Sequence, residues 1–112
     1  MTSTKFKEFI DANMRHNHVE SQILKRIVKA LKDAGNPIIE VWSDRSGNDK
    51  AAVDTLRSIQ EQVFNLDEAY LVTKDGGWVF FVNGNEWDAI TDYSLSLEDA
   101  LQPVNDWVEV HW

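Results

Sequence analysis

Apolar residues recur along this chain in two rhythms, and the rhythm changes several times. In TSTKFKEFIDANMRH, Phe6, Ile10 and Met14 fall four apart, the spacing of one helix face. A second helical run follows in NHVESQILKRIVKALKDAG. There Ile23, Leu24, Ile27, Val28 and Leu31 form an apolar stripe, with Lys25, Arg26, Lys29 and Lys32 on the opposite side. Asn17 with Glu20 three residues on has the form of a capping box, so a separate second helix is expected to start there and to stop at Gly35 and Pro37. PIIEVW reads as a strand and DRSGNDK as a polar turn carrying a helix cap at Asn48 or Asp49. Residues 50–64, KAAVDTLRSIQEQVF, return to helical spacing through Val53, Leu56, Ile59 and Val63.

The rhythm then shortens to two. AYLVTK leads through DGG to WVFFV, and NGNE leads to WDAITDY, the pattern of a three-stranded meander. Ser96 can cap a last helix beginning at Leu97, which Pro103 is expected to kink or divide because it lacks an N–H. The predicted order is α-α-β-α-β-β-β-α. It describes an α+β fold in two layers: a mainly antiparallel sheet, the meander plus one strand, packed on about four helices. All 112 residues belong to one domain.

One strand does not fit this picture easily. Trp78, Phe80 and Val82 point one way from it, Val79 and Phe81 the other. A strand apolar on both faces calls for cover on both, yet this chain most simply makes two layers. Either a helix crosses to the far side, or an aromatic face is left for a partner. The sequence leaves both open.

Composition narrows the chemistry. Without cysteine there is no disulfide, thiolate metal site or thiol nucleophile, which suits a reducing compartment. The opening residues lack the apolar core of a secretory signal, and no run approaches the ~18 apolar residues of a membrane span. A cytoplasmic protein is expected. The net charge of −8 is uneven: residues 1–35 hold seven Lys/Arg against four Asp/Glu, and residues 36–112 hold four against fifteen. Direct nucleic-acid binding, which needs a basic footprint, is disfavoured.

Candidate catalytic groups do not assemble. His16 and His18 are two apart, so they do not share a helix face, and a metal site needs further ligands. Counted from Asp44, the calcium-loop positions for glycine and glutamate hold Asp49 and Thr55. Asp88 and Asp92, on one face of an extended strand, would lie about 13 Å apart, too far for a glycosidase pair. The patterns GxSxG, GxGxxG and the P-loop are missing. No catalytic residue, metal ligand or cofactor is predicted, and a non-enzymatic role is expected.

Two features favour binding. Five tryptophans, Trp42, Trp78, Trp87, Trp107 and Trp112, are many for this length, and tryptophan serves both cores and interface hot spots. From Asp75 to Glu109 lie eight carboxylates and no Lys or Arg. On one surface they would make a negative field able to steer a basic partner or to stand in for nucleic-acid phosphates.

The run GWVFFVNGNEWDAITDYSLSLEDAL resembles a pattern in small uncharacterised acidic proteins encoded by phages and prophages. Gly77, Trp78, Val79, Gly84, Asn85, Trp87, Asp88, Ile90, Asp92, Tyr93, Leu97 and Glu98 carry the likeness, over about a quarter of the chain. The resemblance implies no catalytic residues. It implies an accessory protein, in a setting where small acidic proteins bind and disable host machinery.

The sequence therefore predicts a small acidic protein that binds another protein, in its sharper form an inhibitor or nucleic-acid mimic acting on a basic nucleic-acid-binding protein. Asp88, Asp92, Glu98 and Asp99 would supply charge and Trp87 an aromatic anchor. The alternative is a structural or self-assembling protein whose aromatic sheet face closes a homodimer.

Overall fold

A computed structural model describes the backbone from Thr4 to His111 and the side chains from Val19 to His111, in both cases apart from residue 45. Its elements run α1 (Thr4–Asp33), β1 (Ile38–Trp42), β2 (Lys50–Ala52), α2 (Leu56–Val63), β3 (Glu68–Thr73), β4 (Trp78–Val82), β5 (Ile90–Tyr93) and α3 (Glu98–His111). Two short 3-10 turns, Glu86–Asp88 and Leu95–Leu97, flank β5. The fold is α+β, with one open antiparallel sheet in the order β2-β1-β3-β4-β5. The meander is present as β3, β4 and β5, within a five-stranded sheet.

Several expectations change. The two N-terminal helices are one, because no Gly or Pro interrupts Thr4–Asp33 and a mid-helix Asn costs only about 0.7 kcal/mol. Asn17 is thus inside a helix rather than capping one. Residues 50–52 are a strand, not the start of a helix: Ala52, Ala51 and Lys50 pair with Glu40, Val41 and Trp42. Helix α2 starts only after Thr55, whose hydroxyl accepts from the Ser58 N–H at 3.1 Å while the Ser58 hydroxyl accepts from the Thr55 N–H at 3.0 Å. This reciprocal box fixes the helix start, so neither Asn48 nor Asp49 caps it.

The strand expected to begin at Trp87 begins at Ile90, since Glu86–Asp88 curl into a 3-10 turn. Finally, α3 starts at Glu98 after its own 3-10 turn, and Ser96 does not cap it. Pro103 lies inside α3 without dividing it. Leu101 and Val104 on either side are buried in the core, while Pro103 and Asp99 are exposed. The Asp99 carbonyl, which loses its helical donor to the proline, can therefore bond to water.

All three helices pack on one side of the sheet. Ile23, Leu24, Ile27 and Leu31 of α1, Ile59 and Val63 of α2, and Leu101 and Val104 of α3 share one core with the inward strand residues Val41, Ala69, Leu71, Val79 and Phe81. Phe81 is fully buried, which by itself contributes about 2–3 kcal/mol of hydrophobic stabilisation. Gly77 lets the 3-10 turn before α3 close on the sheet, since a Cβ there would meet Leu97 Cδ2 at 2.9 Å.

Two bulges set which side chains face outward. On β1 the register shifts between Ile38 and Glu40, leaving Ile39 unpaired and 39% exposed. Strict alternation would put Ile38, Glu40 and Trp42 on one face. The extra residue reverses the phase, so Ile38 and Val41 point into the core and Glu40 and Trp42 point out. On β5 the shift between Phe80 and Phe81 leaves Thr91 unpaired, so Ile90 pairs with inward Phe81 and Asp92 with outward Phe80.

Candidate functional site

Directly opposed residues of antiparallel strands share a face, and the outer face of this sheet can be read from its register. One row crosses all five strands: Lys50 beside Trp42, Trp42 beside Tyr70, Tyr70 beside Phe80, Phe80 beside Asp92. A second row holds Ala52, Glu40, Val72 and Trp78. Tyr70 stacks on Phe80 with centroids 4.6 Å apart and planes at 11°, and meets Trp78 edge-on at 6.1 Å and 68°. Such pairs add about 0.5–1.5 kcal/mol each beyond the area they bury.

Trp42 is held from three sides. Its Nε1–H donates to Glu40 Oε1 at 3.0 Å, Lys50 Nζ lies 5.4 Å from its ring centroid, and its edge rests against Gly47 in the β1–β2 turn. A Cβ on Gly47 would come within 2.7 Å of that ring, and Gly47 itself has φ +71°. A shallow depression of about 220 Å³ opens among Trp42, Tyr70, Val72, Gly76 and Trp78. Its polar groups are a phenol and two indole N–H groups, and it holds no carboxylate, imidazole or amine. These large side chains are only half-buried, and none of them belongs to the core that the helices cover or is among the partly buried residues packed against it.

A second concavity, about 330 Å³, lies between the Glu86–Asp88 turn and α3, lined by Trp87, Asp88, Ile90, Asn105, Val108 and Glu109. Behind it Trp87 packs at 5.7 Å against Trp107, whose faces also meet the Arg26 guanidinium at 4.1 Å and the His111 ring at 4.7 Å. The turn that presents Trp87 and Asp88 is anchored from inside. Glu20, on the apolar stripe of α1 and 0% exposed, accepts from the Gly84 N–H at 2.6 Å and the Glu86 N–H at 2.7 Å through one oxygen. Glu86 adopts φ +54°, a left-handed conformation uncommon outside glycine.

The five residues singled out for binding fall in three places. Trp87 and Asp88 line the groove. Asp92 lies on the outer face next to Phe80, its Oδ1 accepting from the Tyr93 N–H at 2.9 Å. Glu98 and Asp99 occupy the exposed first turn of α3, where the positive end of the helix dipole favours them. Asp88 and Asp92 do not share a strand face: Asp88 is in the 3-10 turn, and the bulge turns Asp92 outward.

Sequence reasoning misses Trp42 and Tyr70 as partners of Trp78 and Phe80. For Tyr70 the signal is its place in the alternation of AYLVTK. For Trp42 there is none, because the bulge that aims it leaves no mark in PIIEVW.

The loop around Asp44 is a local turn. Its Oδ1 accepts from the Ser46 N–H at 2.9 Å and from the Ser46 hydroxyl, which chiefly holds the carboxyl below its ordinary value. Asp75, in the β3–β4 turn, is likewise lowered, first by the Gly77 N–H, then by the Thr73 hydroxyl and the Asn36 side chain. Among the described residues no three His, Cys, Asp or Glu side chains are grouped to hold a metal ion. The His16 and His18 side chains lie outside those residues. No described helix is long and apolar enough to cross a membrane.

Comparison of the chain with protein-family models, with curated proteins and with solved structures finds no match.

Proposed function

We propose that this is a non-enzymatic protein-binding protein whose working surface is the outer aromatic face of the sheet. The observation that carries the reading is the one-sided cover of the sheet. Helices bury Val41, Leu71, Val79 and Phe81 on one face, while Trp42, Tyr70, Val72, Trp78 and Phe80 form a contiguous, partly exposed patch on the other. Contiguous aromatic surface of this kind is uncommon on a chain that stays alone and is enriched where proteins meet. The depression within it presents ring faces and few polar groups, which suits contact with side chains better than chemistry on a substrate.

A second reading, an acidic inhibitor of a basic partner, is favoured by one arrangement: Trp87 flanked by Asp88 and Glu109 in the groove beside α3. Such a site would hold an arginine or lysine against an aromatic ring.

Two variants separate the readings. Phe80→Ser removes the ring stacked on Tyr70 in the outer face, and Asp88→Asn with Glu109→Gln neutralises the groove. Binding partners captured on the wild-type chain should be lost with Phe80→Ser and kept with the neutralised groove. Loss only with the neutralised groove, at an affinity that falls steeply with salt, would reject the aromatic face in favour of the acidic one.

A further inference from the structure

The row across the outer face has an order that matters. It begins with a cation on one edge strand, runs through three aromatic rings, and ends with a carboxylate on the other edge strand: Lys50, Trp42, Tyr70, Phe80, Asp92. Tyr70, on the central strand β3, is its midpoint. Lys50 and Asp92 are both exposed. Such a row is complementary to its own reverse.

We infer that the outer face pairs with a second copy of this chain, about a twofold axis that runs parallel to the strands and passes over β3. This rests on the reading of that face as the binding surface and names its occupant. The rotation reverses strand order from one edge to the other. It sets Tyr70 against its own copy, Trp42 of each copy over Phe80 of the other, and Lys50 of each over Asp92 of the other. Opposite charges then meet at both ends of the row, and rings meet rings between them. A twofold axis along the row would instead oppose Lys50 to Lys50 and Asp92 to Asp92.

The chosen axis also keeps the two sets of strands nearly aligned. Sheet twist opens the angle to about 30°, the usual packing of two sheets face to face. In the second row Glu40 comes over Trp78, with its carboxylate already bonded to the Trp42 indole.

Size agrees with a reversible contact. Five strands about 4.8 Å apart and five residues at about 3.3 Å give a face roughly 24 by 17 Å. Two such faces together bury roughly 800 Å² at most, short of the ~1,000 Å² of a standing interface and in the range of a weak, transient one. The dimer should therefore dissociate on dilution. One feature opposes it. Glu68, exposed at the start of β3, meets its own copy across the axis, so Glu68→Gln should tighten the dimer. Each copy carries −8, and salt screens that general repulsion, so the dimer should persist as salt rises.

The test is sedimentation velocity over a dilution series of the wild-type chain, of Lys50→Glu and Asp92→Lys separately, and of the two variants mixed. Both substitutions are on exposed positions, and far-ultraviolet circular dichroism checks that each variant is folded. The wild type is expected to be a dimer at high concentration. Each single variant, placing like charges at both ends, should weaken its own dimer roughly tenfold or more. The mixture should recover a heterodimer. At one end of its row the two introduced side chains, a glutamate and a lysine, face each other; at the other end the native Asp92 of one variant faces the native Lys50 of the other.

A wild-type chain that is monomeric at every concentration would overturn the dimer and leave the aromatic face open to a different protein. A dimer indifferent to both charge reversals would overturn the dimer geometry, and if Phe80→Ser run in the same dilution series leaves it intact as well, the aromatic face falls with it. Weakened single variants that fail to pair when mixed would overturn the axis.

Discussion

Replacing Glu20 should destabilise the whole fold from a single buried oxygen. Its carboxylate is inaccessible to solvent and receives two backbone N–H groups from a turn more than sixty residues away, at 2.6 and 2.7 Å. Hydrogen bonds to a charged group contribute about 1.5–3 kcal/mol each. Two opposing effects reduce the sum. Removing the carboxylate also removes the cost of holding a charge away from water, and Gly84 and Glu86 are exposed, so their N–H groups can regain water. Loss of side-chain packing in a fully buried position works the other way.

The net expectation for Glu20→Ala is about 3 kcal/mol, a large part of a typical domain's 5–15 kcal/mol. Glu20→Gln keeps the shape and one accepting oxygen. It exchanges two charge-assisted bonds for neutral ones and puts an amide NH₂ where Oε1 has no hydrogen-bond partner, so about 1–2 kcal/mol is expected. Urea unfolding followed by tryptophan fluorescence, at one fixed protein concentration, measures both variants. A Glu20→Ala loss below about 1 kcal/mol, or a glutamine variant less stable than the alanine one, would refute the anchoring role.

Gly47→Ala should cost about 1–2 kcal/mol through its positive φ and the Trp42 ring at 2.7 Å, with a change in tryptophan emission marking the displaced indole. Thr55→Ala removes one half of the reciprocal box at α2 and should lower urea stability by about 1 kcal/mol. Because the Gly77 N–H and the Thr73 hydroxyl hold Asp75 below the ordinary 3.8, the folded chain binds its proton less readily than the unfolded chain. The stabilisation from Asp75 is complete above 3.8 and disappears as pH falls through the lowered folded value. Asp75→Asn should flatten that part of the acid limb in a pH series of unfolding curves.

The parts legible in the sequence are those where one rhythm holds without interruption. β3 and β4 alternate cleanly, and the stripe from Ile23 to Leu31 is unbroken, so those elements and their buried faces are readable. Misreadings arise where a local signal is satisfied by something distant. Glu20 has the spacing of a capping-box residue relative to Asn17, but it also lies on the stripe with Leu24, Ile27 and Leu31. Its partner is a turn near residue 85, which no local window contains. Lys50–Ala52 have helical neighbours in Val53 and Leu56, yet the unpaired edge of β1 captures them. The outer face is half visible in Trp78 and Phe80. Its completion by Trp42 and Asp92 depends on bulges at Ile39 and Thr91, which shift the phase of a strand without changing its composition.

The sheet ends on two short strands, three residues in β2 and four in β5. A neighbouring strand laid along either edge would find only a few free N–H and C=O groups, with the Lys50 charge at one end and the Asp92 charge at the other. Short charged edges of this kind are how open sheets resist lateral growth. Contact through a face, by contrast, is used up once it is made. Partly exposed rings on a sheet with long bare edges would favour open-ended polymerisation, whereas short charged edges restrict growth to contact through the face, which closes on itself.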